Sequence, residues 1–375
     1  MMLLLALRAI ARYLFVVASA YAAIDRHALV SQFNPTRNAS ESVISTPMQV
    51  GNGDFAFGTD VTGLQTFLPF ATMSSWAWKN DSLPPGTTME DVENYHGVSW
   101  DSHGRPVEYM FGGDPAIEQW LISNPNRVNL GRVGLLFRDD DGNALNVTED
   151  DLTDKHQGLD LWSGTITSSF VFDNERVVVR TQSAQTSSAV GVKISSPLIK
   201  RGRLGMFLDF PWVDGHVLVE FPFVGAYNMT SNHTTSLSSG DGLGHNIRAE
   251  ITHTLVNNTF ITSIGGDSFN VSRDSLTSHR YSVIPGTTSE TFSFSVGFSL
   301  ESPESIPTPK DISDESEHVW ESYWENNGFV DVLTGSTDSR AYEIQRRIIL
   351  SRYLMRVNEA GDTPPQEVCF VCLQY

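Results

Sequence analysis

Cysteine is almost missing from this chain: Cys369 and Cys372 are the only two in 375 residues, and both fall in the last seven positions. The body of the protein therefore has no disulfide framework, and a fold of this size must stand on its hydrophobic core. The C-x-x-C spacing of "CFVC" is one pair where a four-cysteine zinc site needs two, and no thioredoxin-like βαβ pattern surrounds it. It reads as an incidental tail sequence. Positive charge is scarce too: 25 Lys and Arg against 44 Asp and Glu give a net charge of −19. That balance argues against a nucleic-acid partner, because phosphate contacts need clustered cations. Beyond residue 24 no apolar run approaches the length of a membrane span. The G-x-S-x-G elbow, the G-x-x-x-x-G-K-[ST] loop and the H-E-x-x-H helix are all absent. The ten histidines are scattered, none beside another His or Cys at ligand spacing, which reads as surface or satisfied core positions. These patterns predict no cofactor, no metal site and no catalytic residue.

What is present begins with a leader. "MMLLLALRAIARYLFVVASAYAA" joins two arginines, a short uncharged run from Tyr13 to Ile24 and small residues at A-x-A spacing. Residues 1–23 therefore read as a signal peptide, and the product as secreted and extracellular, free of membrane once the leader is removed. Seven N-x-[ST] sequons, at Asn38, Asn80, Asn146, Asn228, Asn232, Asn257 and Asn270, fit a glycosylated protein.

From residue 24 to 301 the chain alternates short apolar runs with Gly, Asn, Asp and Pro. "GNGDFAFGTDVTGLQTFL" reads as turn, strand, turn, strand, and "LGRVGLLFRDDDGNALNV" as two β-runs around an Asp-Gly turn. "LDLWSGTITSSFVFDNERVVVRTQSAQTSSAVGVKISSP" holds three or four strands with Asp173-Asn174 as a hairpin turn. In "ETFSFSVGFSL" Phe292, Phe294, Val296 and Phe298 share one face. The fold class is mainly β, a large antiparallel β-sandwich.

A Pro- and Ser-rich connector, "SPESIPTPKD", opens a linker over 302–337. Within it "SDESEHVWESYWENNG" predicts a helix with Val319, Trp320, Tyr323 and Trp324 on one face and Gly328 at its stop. A last helix falls within 338–367, capped by Asp338 or Ser339. Its apolar residues, Ala341, Tyr342, Ile344, Ile348, Ile349, Leu350, Tyr353, Leu354, Met355 and Val357, cover the whole circumference. Such a helix needs neighbours on several sides. Residues 368–375 form an atypical tail.

Two stretches tempt a ligand reading. Asp139, Asp141 and Asn143 match the first positions of a calcium loop, but Ala144 stands where glycine is required and Asp150 where the bidentate Glu belongs. This is a solvated hairpin tip. Gly240, Gly242 and Gly244 lack the dinucleotide-loop spacing and form a loop. A glycosidase needs two carboxylates at the right separation, and no pair among the acidic residues stands out. Aromatics are more informative. "TMSSWAWKND" places Trp76 and Trp78 on one side of an extended segment, near Asn52 and Asp54. Indole faces beside amide and carboxylate groups suit sugars, although filling the sandwich core is the ordinary use of such tryptophans and stays open.

In order, "MQVGNGDFAFGTDVTGLQTF", "TMSSWAW", "NPNRVNLGRVGLLF", "LDLWSGTITSSFVFD", "GRLGMFLDFPW" and "YEIQRRIILSRYLMRVNEAGDTPPQE" resemble the N-terminal half of secreted six-hairpin glycosidase-like proteins. That group includes α-L-fucosidases and maltose-phosphorylase-type enzymes. The resemblance covers roughly residues 28 to 367. It implies a β-supersandwich, linker helices and the first helix of an (α/α)6 barrel, with "VCFVCLQY" replacing the continuation. The group's general acid, a glutamate, lies on the barrel past this point, so no position here inherits a catalytic role. The chain is then expected to be truncated before the barrel and inactive as written. The resemblance places the "GNGD" segment and the Trp-rich loop toward the barrel, making Asn52, Asp54, Trp76 and Trp78 candidates for the rim of an oligo- or polysaccharide site. A non-catalytic carbohydrate-binding sandwich remains open, as does an extracellular interaction protein that docks or self-associates through its final helix.

Overall fold

The computed structural model describes residues 24–40, 47–123, 127–213, 224–240, 242–286 and 288–363. The leader and the two cysteines lie outside them.

Alternation of buried and exposed positions builds four antiparallel sheets. The largest has nine strands in the spatial order β1 (Thr36–Arg37), β8 (Thr153–Asp160), β9 (Thr165–Phe172), β10 (Glu175–Ser183), β11 (Ala189–Ser195), β18 (Thr291–Ser299), β15 (Thr259–Gly266), β14 (Ala249–Thr254) and β13 (Thr234–Ser239). A four-stranded sheet runs β16 (Phe269–Arg273), β17 (Arg280–Pro285), β12 (Leu204–Asp209) and β7 (Arg132–Phe137). A three-stranded sheet joins β2 (Met48–Gly51), β3 (Phe55–Thr59) and β4 (Thr72–Ser74), and β5 (Val98–Ser102) pairs with β6 (Arg105–Tyr109). The core lies between the nine-stranded sheet and the four- and three-stranded ones, where Phe137 of β7 meets Phe170 and Phe172 of β9, Phe269 of β16 meets Phe292 of β18 and Phe55 of β3 meets Phe298 of β18. The mainly β sandwich expected from the sequence is the architecture found. Phe292, Phe294, Val296 and Phe298 are all buried, and Asp173 and Asn174 take the left-handed conformation of a tight hairpin turn (φ 49° and 62°).

Two predicted strands are absent. The run Leu64–Leu68 is bent instead of extended, because the buried Asp60 carboxylate accepts hydrogen bonds from Thr62 N (2.8 Å), Thr62 Oγ1 (2.6 Å), Phe67 N (2.6 Å) and Leu68 N (3.3 Å). Burial pushes the Asp60 pKa up against these bonds. The run after Asp139 makes only an isolated bridge, Arg138 to Ala144, since Asp139 turns the chain by accepting from Asn143 N.

The linker helix starts earlier than its acidic run indicates. Short helices α1 (Arg26–Ser31), α2 (Met89–Glu93), α3 (Pro115–Ser123) and α4 (Pro197–Lys200) precede it, and α5 spans Pro309–Asn326. Thr308 and Asp311 form a reciprocal capping box, with Pro309 in the first turn, so the predicted connector already contains the helix start. Helix α6 (Ala341–Asn358) follows Arg340; the Asp338 carboxylate accepts from Arg340 N and holds the residue before the helix instead of capping it.

Helix α6 buries one stripe, Ala341, Gln345, Ile349, Tyr353 and Val357, spaced four apart. The Tyr353 ring stacks on Trp320 of α5 (4.5 Å between centroids) and its hydroxyl donates to Gln49 O of β2 (3.0 Å). Trp324 donates Nε1–H to Leu161 O (2.7 Å). Gly164, at φ +65°, sits where a Cβ would strike the Trp320 indole at 2.2 Å. These contacts fasten both helices to the sandwich. Of the other apolar residues of α6, Ile348 and Leu350 are half-buried, while Tyr342, whose ring also meets Phe33, is 47% exposed, Ile344 48%, Leu354 39% and Met355 56%.

Trp320→Ala is expected to cost roughly 3–5 kcal/mol in urea denaturation followed by circular dichroism, the range for deleting a buried large aromatic. A loss under about 1 kcal/mol would mean that the helix pair is not fastened this way.

Candidate functional site

The "GNGD" turn joins β2 to β3 at the end of the sandwich where α6 finishes. Gly53 N donates to Val357 O (3.0 Å), Arg356 Nη1 donates to Asn52 O, and Asp362 N donates to Asp54 Oδ1 (3.2 Å). Gly53 has φ +98°, and a Cβ there would lie 2.5 Å from the Ala360 backbone. Only glycine lets helix end and turn approach this closely.

Asn52 is used up by this architecture. Its Nδ2 donates to Ala184 O (3.0 Å) and Ser187 O (3.1 Å), and its Oδ1 accepts from Asp54 N (3.0 Å) and Phe55 N (2.8 Å). With the residue buried, its amide shapes the cleft and has no capacity left for a ligand. Asp54 is half-buried, and its charge acts on both Arg127 and Arg356.

The sequence places the two tryptophans on one side of an extended segment, and the structure does not. A tight turn separates them, closed by Trp78 N to Trp76 O (3.0 Å). Neither fills the core. Trp76 is half-buried against Phe260 and donates Nε1–H to Ser188 Oγ (3.0 Å). Trp78 is 36% exposed, with the buried Arg127 guanidinium 3.6 Å from its ring centroid. Burial lowers the Arg127 pKa, and Asp54 acts against that shift. Arg127 is a participant the sequence reading missed, since 49 residues separate it from Trp78.

Two adjoining hollows result. One, of about 600 Å³, is lined by Asn52, Asp54, Trp76, Ser188, Leu300 and Asp362. The other, of about 510 Å³, is lined by Trp76, Trp78, Asn80, Asn257, Asn258 and Glu301. Trp76 belongs to both, so the four predicted rim residues come together at one end of the molecule. Donors, acceptors and indole surface meet there, which is the chemistry of a polyol contact. All seven sequon asparagines are exposed, and Asn80 and Asn257 stand beside Trp78.

The histidines are less scattered than they read. His233, His253 and His279, contributed by the residue before β13, by β14 and by the loop before β17, form one cluster buried in the sandwich. His233 Nδ1 and His253 Nε2 share a hydrogen bond of 2.9 Å, and the His233 and His279 rings lie 3.9 Å apart. His279 bonds Thr230 O through Nε2 and Thr235 Oγ1 through Nδ1, both at 2.8 Å. His233 Nε2 and His253 Nδ1 have no partner among the described residues. Burial first, then the neighbouring His279 and Arg273 charges, push the His233 pKa down to about 4, and His253 is lowered well below the usual range.

Comparison with known families and with curated proteins finds no match. Among solved structures, similarity is found to a kojibiose phosphorylase from the human microbiome, with 10% identity, a TM-score of 0.44, and coverage of 85% of this chain and 42% of that one. A bacterial glucoamylase complexed with acarbose is similar at 8% identity and a TM-score of 0.38, covering 61% of this chain and 35% of its own. The chain thus spans less than half the length of either.

Acid should weaken the fold through the histidine cluster. Unfolded histidine titrates near 6.5, so between about pH 6.5 and 4 the unfolded chain binds more protons and stability falls as pH falls. Asp209 works the other way: burial, against Arg132 and Arg280, raises its pKa to about 6, so its contribution grows as pH falls. A difference between parent and variant cancels that term. The drop in thermal midpoint from about pH 7 to about pH 4.5 is expected to be smaller in His233→Gln than in the parent. An equal drop would contradict this origin.

Proposed function

We propose that this chain supplies the N-terminal sandwich and linker of a secreted, glycosylated glycoside hydrolase of the six-hairpin glycosidase-like group, without hydrolytic activity of its own. The observation that carries this reading is α6. Its inward stripe is seated on β2 and β3, while Tyr342, Ile344, Leu354 and Met355 lie open on its other sides. An exposed apolar helix face is a surface made to be covered. Covering helices belonging to a longer form of the protein would meet α6 where the "GNGD" turn and the Trp76–Trp78 hollows already lie. The paired carboxylates of glycosidic cleavage would then come from those helices, one protonating the leaving oxygen and the other activating water. Asp54, Trp76 and Trp78 would supply one rim of the sugar site, with Asn52 holding the turn beneath them.

Expressing the reading frame together with the coding sequence downstream of Tyr375 tests this. The proposal expects helical hairpins and release of reducing sugar that residues 1–375 alone do not give. A downstream sequence without helical hairpins would refute it. Independently, changing Ile344, Leu354 and Met355 together to Glu should leave the urea midpoint of the 1–375 chain nearly unchanged and reduce any self-association measured by sedimentation. A loss above about 2 kcal/mol would show that this face is already packed.

A further inference from the structure

A larger cleft, of about 1230 Å³, lies away from the tryptophan end, on the outward face of the nine-stranded sheet beside α5. Strand alternation sets its floor. Ile166, Val177, Val179, Val192 and Ile194 turn into the core, so Thr167, Arg180 and Lys193 turn outward. The register places Arg180 opposite both Thr167 and Lys193, and Lys193 opposite Ser293. Two cations directly opposite on neighbouring antiparallel strands repel each other. Neither has an ion pair among the described residues. In a chain with 44 acidic and 25 basic residues, this pair is not left open for want of carboxylates.

The facing wall on α5 carries Asp314, Glu317 and Glu321, and its cation, Lys310, is paired with Asp314. Ile312, Ser316 and Trp320 turn toward the sheet, while Glu317 and Glu321, four apart on α5, line the cleft and are exposed. Trp162 adds partly exposed indole surface. Donors on the floor, acceptors on the wall and an aromatic face answer the needs of one ligand class. Each sugar hydroxyl both donates and accepts, and sugar C–H faces pack on indole. An anionic chain would meet the glutamates of the wall. The volume exceeds the roughly 300–1,000 Å³ of small-molecule clefts and leaves room for several sugar rings. None of the seven sequons lines this cleft, whereas two flank the Trp78 hollow.

We propose that the outer-face cleft is a second carbohydrate-binding site, taking a neutral oligosaccharide along Arg180, Lys193 and the Glu317–Glu321 wall. The proposal rests on the carbohydrate reading above and adds a contact site separate from the Trp76–Trp78 rim.

Titration calorimetry of the 1–375 chain with maltohexaose and with cellohexaose tests it, using Trp78→Leu to disable the rim. The Trp78→Leu protein is expected to bind one of the two saturably, and adding Arg180→Ala and Glu317→Ala to it should weaken that binding about tenfold or more, as loss of charged hydrogen bonds does. Because both residues are exposed and Arg180 repels Lys193, the thermal midpoint should hold or rise, which separates a binding role from a structural one. Binding that survives the cleft changes overturns the proposal. So does binding by the parent that Trp78→Leu alone abolishes, an outcome that leaves the carbohydrate reading standing. Absence of binding to either hexasaccharide overturns it as well, as does tighter binding of a hexauronate.

Discussion

The stacked pair of Tyr353 and Trp320 is the constraint on which the site end of this molecule depends. One ring comes from α6 and one from α5, and both are almost fully buried against the sandwich. Burial of two large aromatic faces is worth several kcal/mol of transfer free energy, and the Tyr353 hydroxyl adds direction by reaching Gln49 O on β2. A greasy helix could slide along a sheet; a helix with a bonded phenol in its stripe has one register. That register delivers Val357 and Arg356 to the "GNGD" turn.

From that docking the rest of the site end follows. The turn is held from one side by α6 and from the other by Asn52, whose amide bridges to Ala184 O and Ser187 O. The same segment offers Ser188 to Trp76 and to Ser74. The tryptophan turn is therefore positioned by these polar contacts together with the buried Ala77 and the Trp76–Phe260 packing, leaving Trp78 half open on the Arg127 guanidinium. Both the hollows and the exposed side of α6 are products of one rigid junction.

How much of this was readable in the sequence divides by range. The hairpins from β8 to β11 were legible, since their alternation and the Asp173-Asn174 turn are local signals. The apolar excess of α6 was legible too, but its buried stripe was not: Gln345 sits within it, and apolar residues off the stripe mask the four-residue spacing. Asp60 was invisible as the knot that bends Leu64–Leu68, because nothing in a lone aspartate announces burial. The histidine cluster joins positions 20 and 46 residues apart from His233, and the Arg180–Lys193 opposition depends on the length of the loop between two strands. Such pairings come from register, which single-sequence patterns do not specify. Asn52 was legible as part of the turn beside the hollows, but its bonding capacity becomes countable only once the neighbouring carbonyls are in view.

Helices α5 and α6 fold with the sandwich as one unit, so that the open face of α6 is preformed on it. Native-state hydrogen exchange on the 1–375 chain tests it most directly. Amides over Gln345–Val357 are expected to be protected to nearly the same free energy as those of β10 and β11. Exchange of that helix within seconds, while the strands stay protected, would contradict it.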